Sequence, residues 1–152
     1  MNNYDNLDPN KEYLIGELGA FNKLKNVYCD YSFNVTNSYT VALLHSLGAK
    51  SITLSYELTF KQIENIIKAY HERYNCNPNL EVVVYGKREV MTLKTNLNKI
   101  YKDNIRLVDR FNNYYDIKEK NNMSVIYDYK LLDDKFDYYS IGVNIIRENR
   151  EI

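Results

Sequence analysis

Apolar runs alternate with amphipathic stretches along the first half of this chain, and the alternation predicts strands and helices in turn. Short apolar runs at residues 14–15, 27–31, 51–55 and 80–85 predict strands. The last run is continuous and Val-rich, which is typical of a strand with both faces covered. We expect Gly86 to end it, because glycine readily adopts the backbone conformations of turns.

The stretches between these runs predict helices. A short helix is expected over residues 20–24, and a longer one over residues 39–47, with Asn37 or Ser38 as its N-cap. Gly48 follows as the expected stop of that helix. A third helix begins with a capping box of sequence Thr-Phe-Lys-Gln at residues 59–62. Its apolar stripe has the 3/4 spacing of a helix that buries one face, and it consists of Phe60, Ile63, Ile66, Ile67 and Tyr70.

The second half of the chain has a less regular pattern. Asn112 and Asn113 separate two short runs and predict a hairpin turn, because asparagine tolerates a positive φ. The flanking strands are expected at residues 105–108 and 114–117. Further along, the pattern predicts a strand at residues 123–127, a short helix at 130–138 and a final strand at 143–146.

Repeated strand–helix units predict an α/β fold with a parallel sheet and right-handed crossovers. Only about four such units fit, which is half of an eight-stranded (β/α) barrel. We therefore predict a partial barrel. Residues 1–12 read as a loose leader, and residues 13–152 as a single half-barrel-like α/β domain.

Composition limits the classes of binding partner and the cellular compartment that we expect for this chain. Lys and Arg together number 20, as do Asp and Glu, so no net charge draws the chain toward nucleic acid or acidic membranes. A local basic patch leaves nucleic-acid binding open. No apolar run approaches the roughly 20 residues of a membrane span, and the polar N-terminus is unlike a signal peptide. We expect no membrane association, a cytoplasmic location, and reduced thiols at Cys29 and Cys76.

Polar residues after the apolar runs are the candidate ligand-binding residues. Asp30, Asn34 and Asn37 follow the second run, and Glu57 follows the third. Carboxyl ends of parallel strands commonly carry sites, and amides offer both donors and acceptors to a polar ligand. Two alternatives remain open: the asparagines cap the next helix, and Glu57 complements a helix dipole.

Tyr85, Lys87 and Arg88 lie at the expected end of the fourth strand and complete the predicted ligand-binding set. The two cations suit an anion such as phosphate or carboxylate, with ordinary surface charge as the alternative. The chain contains no nucleophile elbow, zinc-protease motif or phosphate-binding loop, so we assign no catalytic residue and no metal site.

Several segments resemble peptidase family U32, the collagenase-like peptidases. The segment at residues 30–38, DYSFNVTNS, and the segment at residues 54–58, LSYEL, resemble two of its motifs. Residues 81–87, 109–117, 124–127 and 141–146 are similar to later family segments in the same order. The resemblance implies a barrel more than twice this length, of which this chain would be the C-terminal half.

The resemblance also implies an iron–sulfur cluster in several branches, held by Cys residues that this chain lacks between Lys87 and Arg110. We therefore expect no cofactor. A half-barrel leaves sheet edges exposed, so we expect a homodimer or a complex with a complementary N-terminal barrel half. The predicted function is a non-catalytic or partner-dependent binding module. The alternative is a U32-type peptidase or hydrolase, or an RNA-modifying enzyme, that acts with the separate half.

Overall fold

The computed structural model describes residues 4–102, 105–132 and 135–148. Strands and helices alternate in its first half: β1 (Glu12–Ile15), β2 (Asn26–Cys29), α1 (Ser38–Ser46), β3 (Ala49–Thr53), α2 (Phe60–Tyr74) and β4 (Leu80–Leu93). The second half consists of α3 (Leu97–Ile100), β5 (Arg106–Val108), β6 (Tyr114–Lys120), β7 (Met123–Leu132) and β8 (Ile145–Glu148). Short 3₁₀ helices lie at Leu18–Asn22, Tyr31–Phe33 and Tyr139–Ile141.

The chain divides into two compact units. The first comprises Met1–Val83 and Lys135–Arg147, and the second comprises Val84–Asp134 and Glu148–Ile152. Strand β4 therefore begins in the first unit and ends in the second. The loose leader over residues 1–12 and the single domain over residues 13–152 stay predictions.

The predicted α/β class and its parallel strands are confirmed in the first unit. Strands β1 to β4 pair in parallel in chain order, and β8 pairs with β4. Cys29 is level with Ile52, and Thr53 is level with Glu81. The carboxyl ends of β2 and β3 therefore lie beside the start of β4, which brings their polar residues together.

Local sequence explains where the two long helices begin and end. The side chain of Asn37 accepts a hydrogen bond from the backbone N–H of Thr40 at 2.9 Å, and this bond caps α1. Gly48 follows with a φ of 109°, as predicted. The predicted capping box of Thr59 and Gln62 opens α2, and Asn75 ends it in the left-handed region. Both predicted helices are confirmed.

Strand β4 corrects the expectation that Tyr85 and Gly86 mark a strand end. The strand continues to Leu93, and Gly86 lies inside it with a φ of 127°. Only glycine adopts that conformation at little cost, so the strand bends there without stopping. Register shifts follow between Lys87 and Met91. Tyr85 is therefore a mid-strand residue, and its predicted position at a strand mouth is wrong.

The second unit is an antiparallel sheet, in which β4 pairs with β7, β7 with β6, and β6 with β5. The predicted hairpin is confirmed, with Asn112 at a φ of 61° between β5 and β6. The helix predicted over residues 130–138 is wrong in its described part, because β7 runs through Leu132 and residues 135–138 form no helix. Pairing of Leu131 and Leu132 with β4 outweighs the weak helical pattern there. Residues 133–134 lie outside the described part.

Candidate functional site

Three polar side chains from neighbouring parallel strands converge on one arginine in the first unit. Asp30 directly follows β2, Thr53 ends β3, and Glu81 is the second residue of β4. Arg147, in the last strand β8, contacts all three. We call Asp30, Thr53, Glu81 and Arg147 the arginine cluster. It lies at the carboxyl ends of β2 and β3, where parallel α/β folds commonly build their sites.

The guanidinium of Arg147 forms several bonds in this cluster. Its Nη2 donates to Oδ1 of Asp30 at 2.7 Å and to Oγ1 of Thr53 at 3.0 Å. Its Nε and Nη2 both contact Oε1 of Glu81. Thr53 Oγ1 also donates to Oε1 of Glu81 at 3.1 Å. Two carboxylates thus share one cation, so the cluster carries one excess negative charge.

The cluster is accessible, although most of its surface is covered. The side chains of Arg147, Asp30 and Glu81 are 29%, 22% and 16% exposed. Within the described residues, each carboxylate uses a single oxygen, so Asp30 Oδ2 and Glu81 Oε2 accept no bond from this part of the chain. The Nη1 of Arg147 likewise donates to no described residue. The cluster therefore presents two acceptors and one donor group to a ligand.

The electrostatics keep Arg147 charged. Burial by itself lowers the pKa of Arg147, but the hydrogen bond and charge of Asp30, with those of Glu81, outweigh that effect and raise the pKa above its ordinary value. The guanidinium is therefore a permanent cation here. It anchors the two carboxylates and takes no part in proton transfer.

Two tyrosines lie next to the arginine cluster. The rings of Tyr31 and Tyr56 are 4.5 Å apart between centroids. Burial raises the pKa of Tyr56 strongly, and the neighbouring Tyr31 adds to the effect, as does the charge of Asp30. The Tyr56 phenol therefore stays protonated and neutral, and it can take part in a hydrogen bond or provide an apolar wall. This pair gives the site an aromatic surface beside its charges.

Cys29 immediately precedes Asp30, but it takes no part in charge chemistry. Its side chain is buried at the end of β2, and burial raises its pKa to about 12. A thiol with that pKa is neutral at physiological pH and is neither a nucleophile nor a ready metal ligand. The chemical groups that the site offers are thus carboxylate, guanidinium and phenol groups.

The predicted residues Asn34 and Asn37 have clear structural roles. Asn34 ends the 3₁₀ helix Tyr31–Phe33 with a φ of 49°, a left-handed conformation that asparagine tolerates. Asn37 caps α1 through its side-chain oxygen. Both side chains are exposed. The geometry favours the capping alternative for Asn37, and ligand binding by either residue stays a prediction.

Glu57 lies in the turn between β3 and α2, and its side chain is exposed. Its backbone N–H donates to Oγ of Ser55 at 3.3 Å. Among the described residues, the Glu57 carboxylate forms no hydrogen bond with Asp30. The carboxylate that shares a partner with Asp30 is Glu81, through Arg147. Glu57 stays a predicted ligand-binding residue.

Tyr85, Lys87 and Arg88 belong to the second unit, whereas Asp30, Asn34, Asn37 and Glu57 belong to the first. Lys87 forms an ion pair with Asp116, and Arg88 forms one with Asp128. The hydrogen bond from Lys87 holds the pKa of the Asp116 carboxyl below its usual range. The two cations are thus paired within the antiparallel sheet, and anion binding by them stays a prediction.

Sequence reasoning missed Glu81, Thr53 and Arg147. A signal for Glu81 was present, because a carboxylate in an otherwise apolar run needs a buried partner. The polar Thr53 within the run 51–55 was a weaker signal of the same kind. Nothing local identified Arg147 as the partner, since it lies 66 positions from Glu81 along the chain.

An iron–sulfur cluster of the kind implied by the resemblance does not fit these residues. Such a cluster needs about four thiolates, and the chain contains two Cys. Cys29 is buried and held neutral, whereas Cys76 is exposed just beyond α2.

Comparison with known proteins identifies one match. The family model described as Peptidase family U32 matches residues 22–97, which are half of the 152 residues. The matched segment contains Asp30, Thr53 and Glu81 but not Arg147. A search of curated proteins found no match, and neither did a search of solved structures. Within the described residues, no helix has both the length and the apolar character to cross a membrane.

Proposed function

Because the chain belongs to peptidase family U32, we propose that it is a binding module of that family whose ligand site is the arginine cluster. One observation supports this most directly. Arg147 is held through one oxygen each of Asp30 and Glu81, and the second oxygen of each carboxylate has no bond to any described residue. The site is therefore assembled but retains hydrogen-bonding capacity for a ligand.

The groups on offer favour a ligand that carries both donors and acceptors. Two carboxylate oxygens and one excess negative charge attract an ammonium or amide N–H, whereas Nη1 of Arg147 suits a carbonyl or carboxylate oxygen. The rings of Tyr31 and Tyr56 add an apolar wall. A peptide with a free amino terminus has all of these features, so we infer that peptides are the ligand class.

The same geometry supports a non-catalytic role for this chain acting alone. Cys29 is buried with a neutral thiol. Thr53, whose hydroxyl donates to Glu81, is only 2% exposed, so a substrate carbonyl cannot approach it. Neither side chain is an accessible, activated nucleophile. Binding is the chemistry that the cluster can perform unaided.

We infer that the parallel strands β1 to β4 are part of a (β/α) barrel, which a complementary N-terminal half completes. Family membership supports the barrel, and the parallel order of β1 to β4 is compatible with it. The cytoplasm remains the proposed location. In a completed barrel, the arginine cluster would lie at the carboxyl ends of the strands, where barrel enzymes hold their substrates.

A U32-type hydrolase that acts together with the complementary N-terminal half is the second candidate. The observation that favours it is the sharing of one guanidinium by two carboxylates, since such a pair can orient and activate a water molecule. Action on RNA has no corresponding observation at this site. The two candidates differ in their product, because a hydrolase cleaves the peptide that a binding module releases unchanged.

The test is a titration of the full chain with trialanine amide, in which binding is monitored through the NMR chemical shifts of the backbone amides. Acetylated trialanine amide is the matched control, because it lacks the ammonium group. We expect saturable shifts around Asp30 and Glu81 with the free peptide, and at least about 10-fold weaker binding by Asp30→Asn and Glu81→Gln. Glu72→Gln, which changes an exposed carboxylate of the same unit outside the predicted ligand-binding set, should bind as the wild type does.

Equal binding of the free and acetylated peptides, or no binding at millimolar concentration, would refute the proposed ligand class. Mass spectrometry of the same samples separates the two candidate functions. Intact peptide after prolonged incubation supports the binding module. Hydrolysis that Asp30→Asn and Glu81→Gln abolish would establish the enzyme instead.

A further inference from the structure

Helix α1 is apolar on two opposite faces, which is unusual for a helix at the surface of a protein. Val41 and Leu44 are buried in the core. Tyr39, Leu43 and Leu47 lie four residues apart and are 72%, 53% and 46% exposed. Side chains at that spacing form one stripe along a helix. An exposed stripe of large apolar residues commonly marks an interaction surface.

Two residues at the end of α2 extend this stripe. The guanidinium carbon of Arg73 lies 3.9 Å from the ring centroid of Tyr39 and 5.6 Å from that of Tyr74. Arg73 also donates to Oγ of Ser38, so its position is held from two sides. Arg73 and Tyr74 are both exposed. We define the α1 patch as Tyr39, Leu43, Leu47, Arg73 and Tyr74.

The composition of the α1 patch is that of a protein–protein hot spot. Tyr and Arg are the residues most enriched among those that dominate binding energy, and a rigid aromatic side chain loses little entropy on binding. The stacking of Arg73 on Tyr39 fixes both side chains before a partner arrives. A preorganised patch loses less entropy on association than a mobile one.

We propose that the α1 patch is the interface of a homodimer, in which α1 packs antiparallel against α1 of a second copy around a two-fold axis near Leu43. The sequence of α1, SYTVALLHS, contains no Asp, Glu, Lys or Arg. Two copies can therefore approach along this stripe without like-charge repulsion. Nothing in the stripe itself selects a charged partner.

The one cation of the patch is consistent with this arrangement. Arg73 lies over Tyr39, at the N-terminal end of α1. An antiparallel pair places the two Arg73 side chains at opposite ends of the interface, so they do not repel each other. Each then lies near the C-terminal end of the other copy's α1, where the carbonyl groups carry partial negative charge.

The axis at Leu43 follows from the spacing of the stripe. Leu43 is midway between Tyr39 and Leu47, so a two-fold axis there places the Leu43 side chains against each other and each Tyr39 against the opposite Leu47. An isologous contact of this kind is the commonest oligomer symmetry. A stable interface buries roughly 800 Å² per protomer. The α1 patch would form the apolar centre of that interface, and the surrounding polar side chains of α2 would form its rim.

The competing surface is the edge of β1 opposite its pairing with β2, which sheet-edge pairing would use. Leu14 of β1 is 56% exposed, similar to Leu43, and β1 is the first strand in the sheet order. Leu14→Glu and Leu43→Glu are therefore matched variants. Each introduces one carboxylate at an exposed leucine of the first unit, and neither removes a buried side chain.

Light scattering of the full chain over a concentration series, with circular dichroism to confirm folding, tests the proposal. We expect the wild type to be a dimer and Leu14→Glu to dimerise with the same affinity. The dissociation constant of the Leu43→Glu dimer should be at least roughly 100-fold higher, because a two-fold axis places the substitution in the interface twice. A wild-type monomer at all concentrations, a dimer that Leu43→Glu leaves intact, or a dimer that Leu14→Glu also dissociates would overturn it.

Disulfide trapping provides a second readout that does not depend on weakening the dimer interface. In a Cys76→Ser background, Leu43→Cys should form a covalent dimer under mild oxidation, because the axis brings the two new thiols together. Leu14→Cys in the same background is the control and should stay monomeric on a denaturing gel. Trapping through position 14 in preference to position 43 would place the interface at the β1 edge and overturn the proposal.

Discussion

Nη2 of Arg147 lies 2.7 Å from Oδ1 of Asp30, although 117 positions separate the two residues along the chain. The bond connects the end of β2 to β8, the last strand of the described chain. Asp30 also accepts a bond from the backbone N–H of Tyr31 at 2.8 Å, which starts the following 3₁₀ helix. The same ion pair therefore holds the candidate site together and joins β8 to the end of β2.

Replacing Arg147 tests how much this connection stabilises the protein. In Arg147→Met, Asp30 and Glu81 lose their shared cation and repel each other in a partly covered environment. We expect the free energy of unfolding to fall by about 2 kcal/mol, less than for a fully buried pair because water reaches the carboxylates. Urea denaturation measures the change.

Lys50→Met is the matched control for that variant. Lys50 forms a 3.2 Å ion pair with Glu12 in the same unit, but both side chains are largely exposed. An exposed pair contributes less than about 1 kcal/mol, so Lys50→Met should change the stability little. Similar losses in the two variants would show that Arg147 is an ordinary surface cation.

Asn37 allows its capping and ligand-binding roles to be separated. Asn37→Ala removes the acceptor for the Thr40 N–H and should lower the free energy of unfolding by about 1 kcal/mol. Asn37→Asp keeps an acceptor at the N-cap and should retain most of the stability, although it removes the amide donor. Thermal or urea unfolding measures both.

The same two variants report on the ligand. If Asn37 only caps α1, Asn37→Asp binds trialanine amide as tightly as the wild type. A 10-fold or larger loss of affinity in the stable Asn37→Asp protein would instead place the Asn37 amide in the binding site, as the sequence predicts.

Cys29 should be silent toward thiol reagents in the folded protein. Burial raises its pKa to about 12 from an ordinary value of 9.0, whereas Cys76 is exposed. At pH 8, a chromogenic disulfide reagent should therefore label one thiol per folded chain and two per unfolded chain. Cys76→Ser should reduce the folded count to zero, and rapid labelling of Cys29 in that variant would contradict its burial.

The raised pKa of Cys29 also predicts an alkaline loss of stability. The unfolded chain loses the thiol proton near pH 9, whereas the folded chain keeps it until about pH 12. The contribution of this thiol to the free energy of unfolding is therefore fully present below pH 9. It is lost as the pH rises from 9 to 12, by up to about 1.4 kcal/mol per pH unit. The free energy of unfolding, measured across this range, should fall less steeply with pH for Cys29→Ala than for the wild type.

Local signals in the sequence were sufficient for the two long helices and for the α/β class. The capping box of Thr59 and Gln62, the N-cap Asn37 and the stop at Gly48 are all found where the pattern predicts them. These signals work because capping and the left-handed conformation are decided within a few residues. Family membership was also readable from the sequence, since the motifs are contiguous.

The end of β4 is a case in which a local signal misled. Gly86 predicts a strand end because glycine favours turns, but β7 pairs with the residues beyond it and keeps the chain extended. The residue that decides this, Leu132 opposite Gly86, lies far away in the chain. Strand length is set by the partner strand as much as by the strand itself.

The sequence by itself determined the parallel strands and the two long helices of the first unit, their order, and Asp30 at the end of β2, because each depends on short-range backbone preferences and on the period of apolar positions. Only the tertiary structure decided which polar residues Asp30 meets. The register of β2, β3 and β4 places Asp30, Thr53 and Glu81 side by side, and β8 brings Arg147 to them from the far end of the chain. Such a pairing leaves no periodic trace in the sequence, because its free energy comes from charges that are neighbours only after the sheet has formed.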